Sequence, residues 1–288
     1  MDKHDVRLRA NGAAMRHIRA SNPAVEFFDE TAGFLADWRA NLIEGVSWED
    51  VEPDLDRSGN GAADDGQRAA AKFKGTDSTC ALVVNTFGQF RRAPSQLSIA
   101  GICEFVSVQF DFEAGDPICA GDSNCDVLAL TSCSAVLVES TFLEPLTATP
   151  AEISPRYGAA FLGGTGPAPI AERAWSKMYR RLRDDPSTYR YLDAAQLVKH
   201  YLALIQNFPL LERTLFYLYW EPVNATDLQL YRDFRREITD FALSVADCDT
   251  RFVAKSYRAQ LQEWQHNRAR LDLGAQLERL RGRYEFSI

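Results

Sequence analysis

The chain has 288 residues, of which 46% are hydrophobic and 25% charged, and its formal net charge is −8. That composition belongs to a globular protein with a sizeable core. It excludes a low-complexity chain, and the acidic balance argues against indiscriminate coating of nucleic acid. No apolar run approaches the roughly 18 residues that a membrane span requires. The opening Met1-Asp-Lys-His-Asp-Val-Arg7 lacks the apolar stretch of a secretory signal. Cysteines 80, 103, 119, 125, 133 and 248 follow no regular framework, so reduced thiols and a cytoplasmic location are expected. Charge is segregated: residues 173–190 carry a net +4 and residues 251–283 a net +5, which leaves −17 for the remainder. Such segments fit a surface that meets a polyanion, and solvated helix faces explain either one alone equally well.

In chain order, the spacing of Phe27, Phe28, Phe34, Leu35, Trp38 and Leu42 predicts a helix over 22–50, capped by Ser21 or Asn22 with Pro23 just inside its start. Glu52 to Thr79 is poor in large apolar residues and holds Ser58-Gly-Asn-Gly61, which predicts loop. A strand is expected from Cys80 through Phe87. Glu104–Phe112 alternates cleanly, with Val106, Val108, Phe110 and Phe112 on one face and Ser107, Gln109 and Asp111 on the other. The runs Cys125–Leu130 and Ala135–Leu143 follow a Gly/Asp/Pro-rich turn and complete an antiparallel meander. Five of the twelve prolines fall between Pro145 and Pro169 around Gly163-Gly-Thr-Gly166. That marks a long irregular segment of the kind that tends to be functional or mobile.

Helices resume near Ala171. Tyr191–Phe208 is amphipathic, with Ala195, Val198, Tyr201, Leu202 and Ile205 on its apolar stripe and Gln196, Lys199 and His200 on the opposite side. A strand at Thr214–Trp220, a helix at Leu228–Val245, a short strand at Arg251–Ala254 and a long C-terminal helix to about Arg283 complete the order. The class is α/β (α+β), with one central sheet.

The chemistry gathers in the meander. Asp126 opens one strand and Glu139 lies on the next, a pairing that can hold Mg²⁺ against a phosphodiester. Strand alternation puts Thr141 on the face of Glu139. A carboxylate inside Val136-Leu-Val-Glu139-Ser needs a partner or a metal. Spacing alone does not separate a metal site from a chance pair of acids. The chain lacks the phosphate-loop, dinucleotide, zinc-protease and serine-hydrolase motifs. Histidines 4, 17, 200 and 266 are dispersed, and Cys119, Cys125 and Cys133 match no familiar zinc spacing. Trp175, Tyr179 and Tyr189 interleave with Arg180, Arg181 and Arg190, which suits either a clamp on nucleic acid or a packed amphipathic helix.

Asn124-Cys-Asp126-Val-Leu128 followed by Val138-Glu-Ser-Thr-Phe-Leu-Glu-Pro145 resembles the pattern N-x-D-V-L … E-S-K-F-x-E-P of a bacterial restriction-endonuclease-like family in the PD-(D/E)XK nuclease superfamily. Ser78-Thr-Cys-Ala-Leu-Val-Val-Asn-Thr-Phe-Gly88, Tyr191-Leu-Asp-Ala-Ala-Gln-Leu-Val-Lys-His200 and Leu218-Tyr-Trp-Glu-Pro222 carry the same resemblance, which runs from about Phe34 to Val245. It implies a single restriction-endonuclease-like domain over 1–288 with an αβββαβ core and a central mixed sheet flanked by helices. The core would span about 22–256, with an irregular insertion at 144–170 and a C-terminal helix at 256–283.

The implied activity is a DNA endonuclease that hydrolyses phosphodiesters with a metal-activated water, using Mg²⁺ or Mn²⁺. Asp126 and Glu139 would be the metal ligands, Gln196 would turn its amide toward the site, and Thr141 would stand where the pattern has lysine. A threonine hydroxyl carries no charge, and losing one such group costs about 10²–10³ in rate. Lys199 or His200, near Gln196 on the same helix face, would be the residues to restore it. The acid that the superfamily often carries on its first core helix has no confident counterpart in Gly61-Ala-Ala-Asp-Asp65. DNA would be met through 173–190 and the C-terminal helix, with a homodimer left open. The alternative is a catalytically inactive relative that binds nucleic acid or a protein.

Overall fold

The computed structural model describes residues 2–55, 71–113, 124–147, 153–162, 172–267 and 273–288. The three alternating or apolar runs of the middle chain form strands β3 (Ser107–Glu113), β4 (Asn124–Leu130) and β5 (Ser134–Thr141). They follow a small two-stranded ribbon, β1 (Phe27–Asp29) with β2 (Phe34–Leu35). The Thr131 hydroxyl accepts from the Cys133 and Ser134 amides and closes the β4–β5 turn, so the two strands pair antiparallel. Strands β6 (Glu212–Tyr219) and β7 (Thr250–Ser256) then add in parallel, giving the order β3-β4-β5-β6-β7. β5 and β6 are central, and their near-continuous burial is what a parallel pair covered by helices requires.

The helices in chain order are α1 (Lys3–Ser21), α2 (Trp48–Leu55), α3 (Thr79–Phe87), α4 (Glu144–Thr147), α5 (Gly158–Leu162), α6 (Arg173–Asp184), α7 (Ala194–Asn207), α8 (Gln229–Ser244), α9 (Tyr257–His266) and α10 (Gly274–Tyr284). α3 packs on β4 and β5, α7 on β5 and β6, α8 on β7, and α2 on β3. The sequence α3-β3-β4-β5-α7-β6 is the αβββαβ order that the motif words implied, with short helices in its β5–α7 connection. Among the described residues no helix is long and apolar enough to cross a membrane. Of the six cysteines, five are free thiols, and Cys119 lies outside the described residues.

Four expectations need correction. The helix lies at 3–21, not 22–50. Asp2 caps it by accepting from the Asp5 amide, and its buried stripe is mostly small: Val6, Ala10, Ala13, Ala14 and Ile18. The aromatics of 22–50 instead supply the β1–β2 ribbon and a cluster in which Trp38, Trp48 and Phe73 meet edge-on or tilted. Cys80–Phe87 is helix rather than strand, because Ser78 caps it and residues 81–87 are buried all round. The stretch 52–79 is not all loop, since α2 runs to Leu55 and helix reappears at 71–73, with 56–70 outside the described residues. The C-terminal helix is two helices, α9 and α10, and residues 268–272 between them also lie outside. Within 144–170 the described parts are short helical turns.

Candidate functional site

The β4–β5 ladder ends at the pair Val127 and Val138. One step further sets Asp126 opposite Glu139, and opposite residues of an antiparallel pair point to the same face. There the ladder gives way to a side chain: Asp126 Oδ2 accepts the Ser140 amide at 2.7 Å. The neighbouring β3–β4 ladder is interrupted at the same level. Phe110 pairs with Val127 and Phe112 with Cys125, while Asp111 between them takes a left-handed φ of 47°. Asp111 turns to Lys72, whose ammonium lies 2.5 Å from Oδ2. Both edges of β4 therefore open around Asp126.

Glu139 continues the row toward Tyr217 of β6. Its Oε2 lies 2.6 Å from His200 Nε2, contributed by the fully buried face of α7. Asp193 caps α7 by accepting the Gln196 amide at 2.9 Å. The Gln196 side-chain nitrogen is 3.2 Å from His200 Nε2, and Lys199 Nζ is 3.4 Å from Gln196 Oε1. Thr141 donates to Glu144 Oε2 at 3.0 Å. Glu144 in turn accepts the Phe142 amide at 2.6 Å and the Thr79 hydroxyl. One carboxylate thus ties β5, α4 and α3 together.

Asp126, Glu139, Ser140, Thr141, Glu144 and Tyr217 line a single cleft of about 240 Å³, with Thr79, Tyr191 and Asp193 on its walls. Asp126 also lines an adjoining cavity of about 190 Å³ with Lys72, Cys80 and Asp111. A third depression joins Arg7 and Lys72 to Thr79 and Glu144. Tyr191 of the cleft wall has Lys3 and Arg190 at 4.7 and 5.4 Å from its ring centre.

Burial, and then the facing Glu139, push the Asp126 carboxyl well above the usual carboxylate range. Burial also raises Glu139, with Asp193 and Glu144 adding to the effect and Lys199 opposing it. Burial holds His200 down to about 4, so its ring is neutral at pH 7. The two carboxyls lie where a positive charge would be strongly favoured. Mg²⁺ is commonly held by one or two carboxylates plus waters and substrate phosphate oxygens. Asp126 and Glu139 suit such an ion, because the hydrogen bonds above engage only one oxygen of each. Among the described residues there is no group of three or more His, Cys, Asp or Glu that could hold a metal ion by itself.

Of the residues singled out from sequence, Asp126, Glu139 and Thr141 meet in the cleft. His200 reaches Glu139 from α7, Gln196 contacts His200, and Lys199 stands beside Gln196. His200 is not on an exposed helix face as expected. It is buried and neutral, so it supplies no charge and instead fixes Glu139. Glu144, Tyr217 and Lys72 were not singled out as site residues. Glu144 stood inside the motif word Phe142-Leu-Glu144-Pro145, whereas Lys72 and Tyr217 carried no sequence signal. Gly61 to Asp65, where an acid of the first core helix was sought, lie outside the described residues.

The aromatic residues of 173–190 belong to the packed-helix reading. Trp175 stacks on Tyr201 at 4.3 Å, Tyr179 on Phe161 at 4.7 Å, and Tyr189 donates to Asp240 at 2.7 Å. Arg173, Lys177, Arg180 and Arg190 remain exposed. In α10, Arg279 pairs with Glu44 at 2.9 Å and Arg281 with Glu285 at 3.2 Å, while Arg283 is buried.

One family model, restriction endonuclease associating with ARP, matches residues 11–285. No curated protein matches the chain, and no solved structure matches it.

Proposed function

The chain belongs to the family of restriction endonucleases associating with ARP, and from that premise we propose that its cleft hydrolyses DNA phosphodiesters in the manner of the PD-(D/E)XK nucleases. The observation that carries this reading is the row of Asp126 and Glu139. They are two facing carboxylates at the point where both ladders of β4 open, each raised by burial and by neighbouring negative charge. Asp126 and Glu139 would hold Mg²⁺ or Mn²⁺, which when bound activates a water and offsets charge on the phosphate. His200 orients Glu139 through a 2.6 Å contact, the outer partner that a metal-binding carboxylate ordinarily has. Lys199 is the cation whose field reaches Glu139. It stands closest to the task of the motif lysine, for which Thr141 is the substitute. Lys3, Arg7 and Arg190 around the rim would meet backbone phosphates as sequence-independent contacts.

A second reading is favoured by Thr141. Its hydroxyl is tied to Glu144, and that bond brings no positive charge to the cleft. A chain with this site could bind DNA or a protein partner without cutting.

Nicking of supercoiled plasmid in Mg²⁺ or Mn²⁺ separates the two. Metal-dependent nicking by the natural chain, lost in Asp126→Ala, supports the nuclease. Nicking by Thr141→Lys alone, about 10²–10³ faster, supports the binding module built on a disarmed site. Silence from both chains on several DNA substrates would count against the metal site itself.

A further inference from the structure

Four acids, Asp126, Glu139, Glu144 and Asp193, line the carboxylate cleft, and among the described residues no lysine or arginine lines it with them. Lys199 acts on Glu139 from the α7 side and is not part of the cleft wall. A cation for the phosphate therefore has to enter from a neighbouring depression. Two depressions share residues with the cleft, and Lys72 lines both. The first, about 190 Å³, reaches Asp126; the second reaches Thr79 and Glu144. Arg7 lines only the second. The Cys80 thiol of the first cavity feels the charges of Lys72, Asp126 and Asp111 together. The Lys72 backbone is secured in the same place. Its carbonyl accepts the Ser78 hydroxyl at 2.5 Å, the next residue, Thr79, donates to Glu144, and the other oxygen of Glu144 holds Thr141. Thr141 and Lys72 are thus the two ends of one connected run of contacts.

We propose that Lys72 is the catalytic cation of the cleft, leaving Asp111 for the scissile phosphate and supplying there the charge that Thr141 does not carry. This inference rests on the nuclease reading of the cleft. In the resting chain the ammonium lies 2.5 Å from Asp111 Oδ2, with the Lys72 side chain 40% exposed. Asp111 stands between the pairs Phe110–Val127 and Phe112–Cys125, across the ladder from Asp126. An ion pair whose cation is open to water holds only weakly, so a phosphate can take the ammonium over. A lysine ammonium is a compact charge with rotatable donors that suits a phosphate oxygen. It gives up no proton in this role. It offsets negative charge while water attacks phosphorus and the leaving oxygen departs, which is where a positioned cation counts most.

The test is nicking of supercoiled plasmid in Mn²⁺ by the full chain, with Mn²⁺ binding followed by calorimetry. Lys72→Met is expected to lower kcat about 10²–10³-fold while Mn²⁺ binds no more weakly than to the natural chain. Adding Thr141→Lys to Lys72→Met is expected to restore nicking. Thr141 lies on β5, two strands from the β3 residue Asp111, so that lysine replaces the charge at the phosphate and not the partner of Asp111. If Lys72→Met does not fold, the comparison is made in an Asp111→Asn background, which lacks the carboxylate that the variant would strand, and the same loss is expected there. Nicking that survives Lys72→Met would overturn the proposal and leave the nuclease reading standing. So would a loss that Thr141→Lys does not restore, or one that vanishes in the Asp111→Asn background. A natural chain that binds Mn²⁺ but nicks only as Thr141→Lys would also overturn it, because Lys72 would then supply no charge. Absence of nicking by every chain, Thr141→Lys included, would remove the nuclease reading and this proposal with it.

Discussion

Glu139 depends on a residue that charge patterning assigns to solvent. His200 lies four positions after Gln196 and next to Lys199, so an amphipathic reading of α7 puts all three outward. The helix is instead wrapped by β5, β6 and α6, and His200 is fully buried against Glu139. A neutral imidazole at 2.6 Å fixes the carboxylate without cancelling its charge. Replacing it with alanine frees Glu139 and should weaken Mn²⁺ binding about 10–100-fold, the usual effect of losing an outer partner. Isothermal titration calorimetry reads this directly, and an unchanged affinity would leave His200 as a packing residue alone. Lys199→Met makes a complementary prediction. Removing the cation that opposes the rise of the Glu139 pKa should lower cleavage by about 10²-fold in a chain that cuts, with melting temperature unchanged. A matching loss of stability would assign Lys199 to the fold instead.

At the scale of elements, the sequence was legible where its pattern had one reading. β3 shows a period of two, and the apolar runs of β4, β5 and β6 are of strand length and bounded by turn residues. α8 is amphipathic enough to be placed within a residue or two. α3 was misread because Cys80-Ala-Leu-Val-Val-Asn-Thr-Phe87 is buried on every side, and periodicity cannot distinguish such a helix from a core strand. Its one local signal was Ser78, whose hydroxyl accepts the Ala81 amide at 3.0 Å. α1 was missed for the opposite reason, since alanines give a weak apolar stripe.

α2 hides a third kind of signal, an acid that reads as surface. Asp54 is 1% exposed. Its two oxygens accept from Arg91 Nη2 at 3.0 Å and from the Phe110 amide at 3.1 Å. The bond to Phe110 reaches the β3 residue just before the left-handed Asp111. Asp54→Ala should therefore cost about 3 kcal/mol, as removal of one partner from a buried charged network does. Urea unfolding would show a lower midpoint at constant slope. A loss under about 0.5 kcal/mol, the range of ordinary surface substitutions, would mean that α2 is held by its apolar residues alone.

Across the whole molecule, the cleft opposes the stability of the fold that carries it, and this has a measurable pH signature. The carboxyls of Asp126 and Glu139 are raised in the folded state above unfolded values near 4. From about pH 4 up through their folded values, the native chain holds protons that the unfolded chain has released. Stability from these two groups therefore falls as pH rises. His200 acts in the other direction. Its folded value of about 4 lies below the ordinary 6.5, so between those limits the unfolded chain binds the extra proton and stability rises with pH. Above about pH 6.5 the histidine contribution is complete, and of these three groups only the carboxylates still act. Melting temperature in chelator should then decline as pH rises through the raised folded values of the two carboxyls. Glu139→Gln, which keeps the shape and removes a charge, should be more stable than the natural chain at pH 8. A divalent ion should reverse the decline, since it binds the deprotonated pair that the fold disfavours. At ten times its Kd the gain is about 1.4 kcal/mol, larger at pH 8 than at pH 5 and absent in Glu139→Gln. A melting temperature that is flat with pH, together with no metal-dependent gain, would mean that Asp126 and Glu139 are acids of the fold rather than of a metal site.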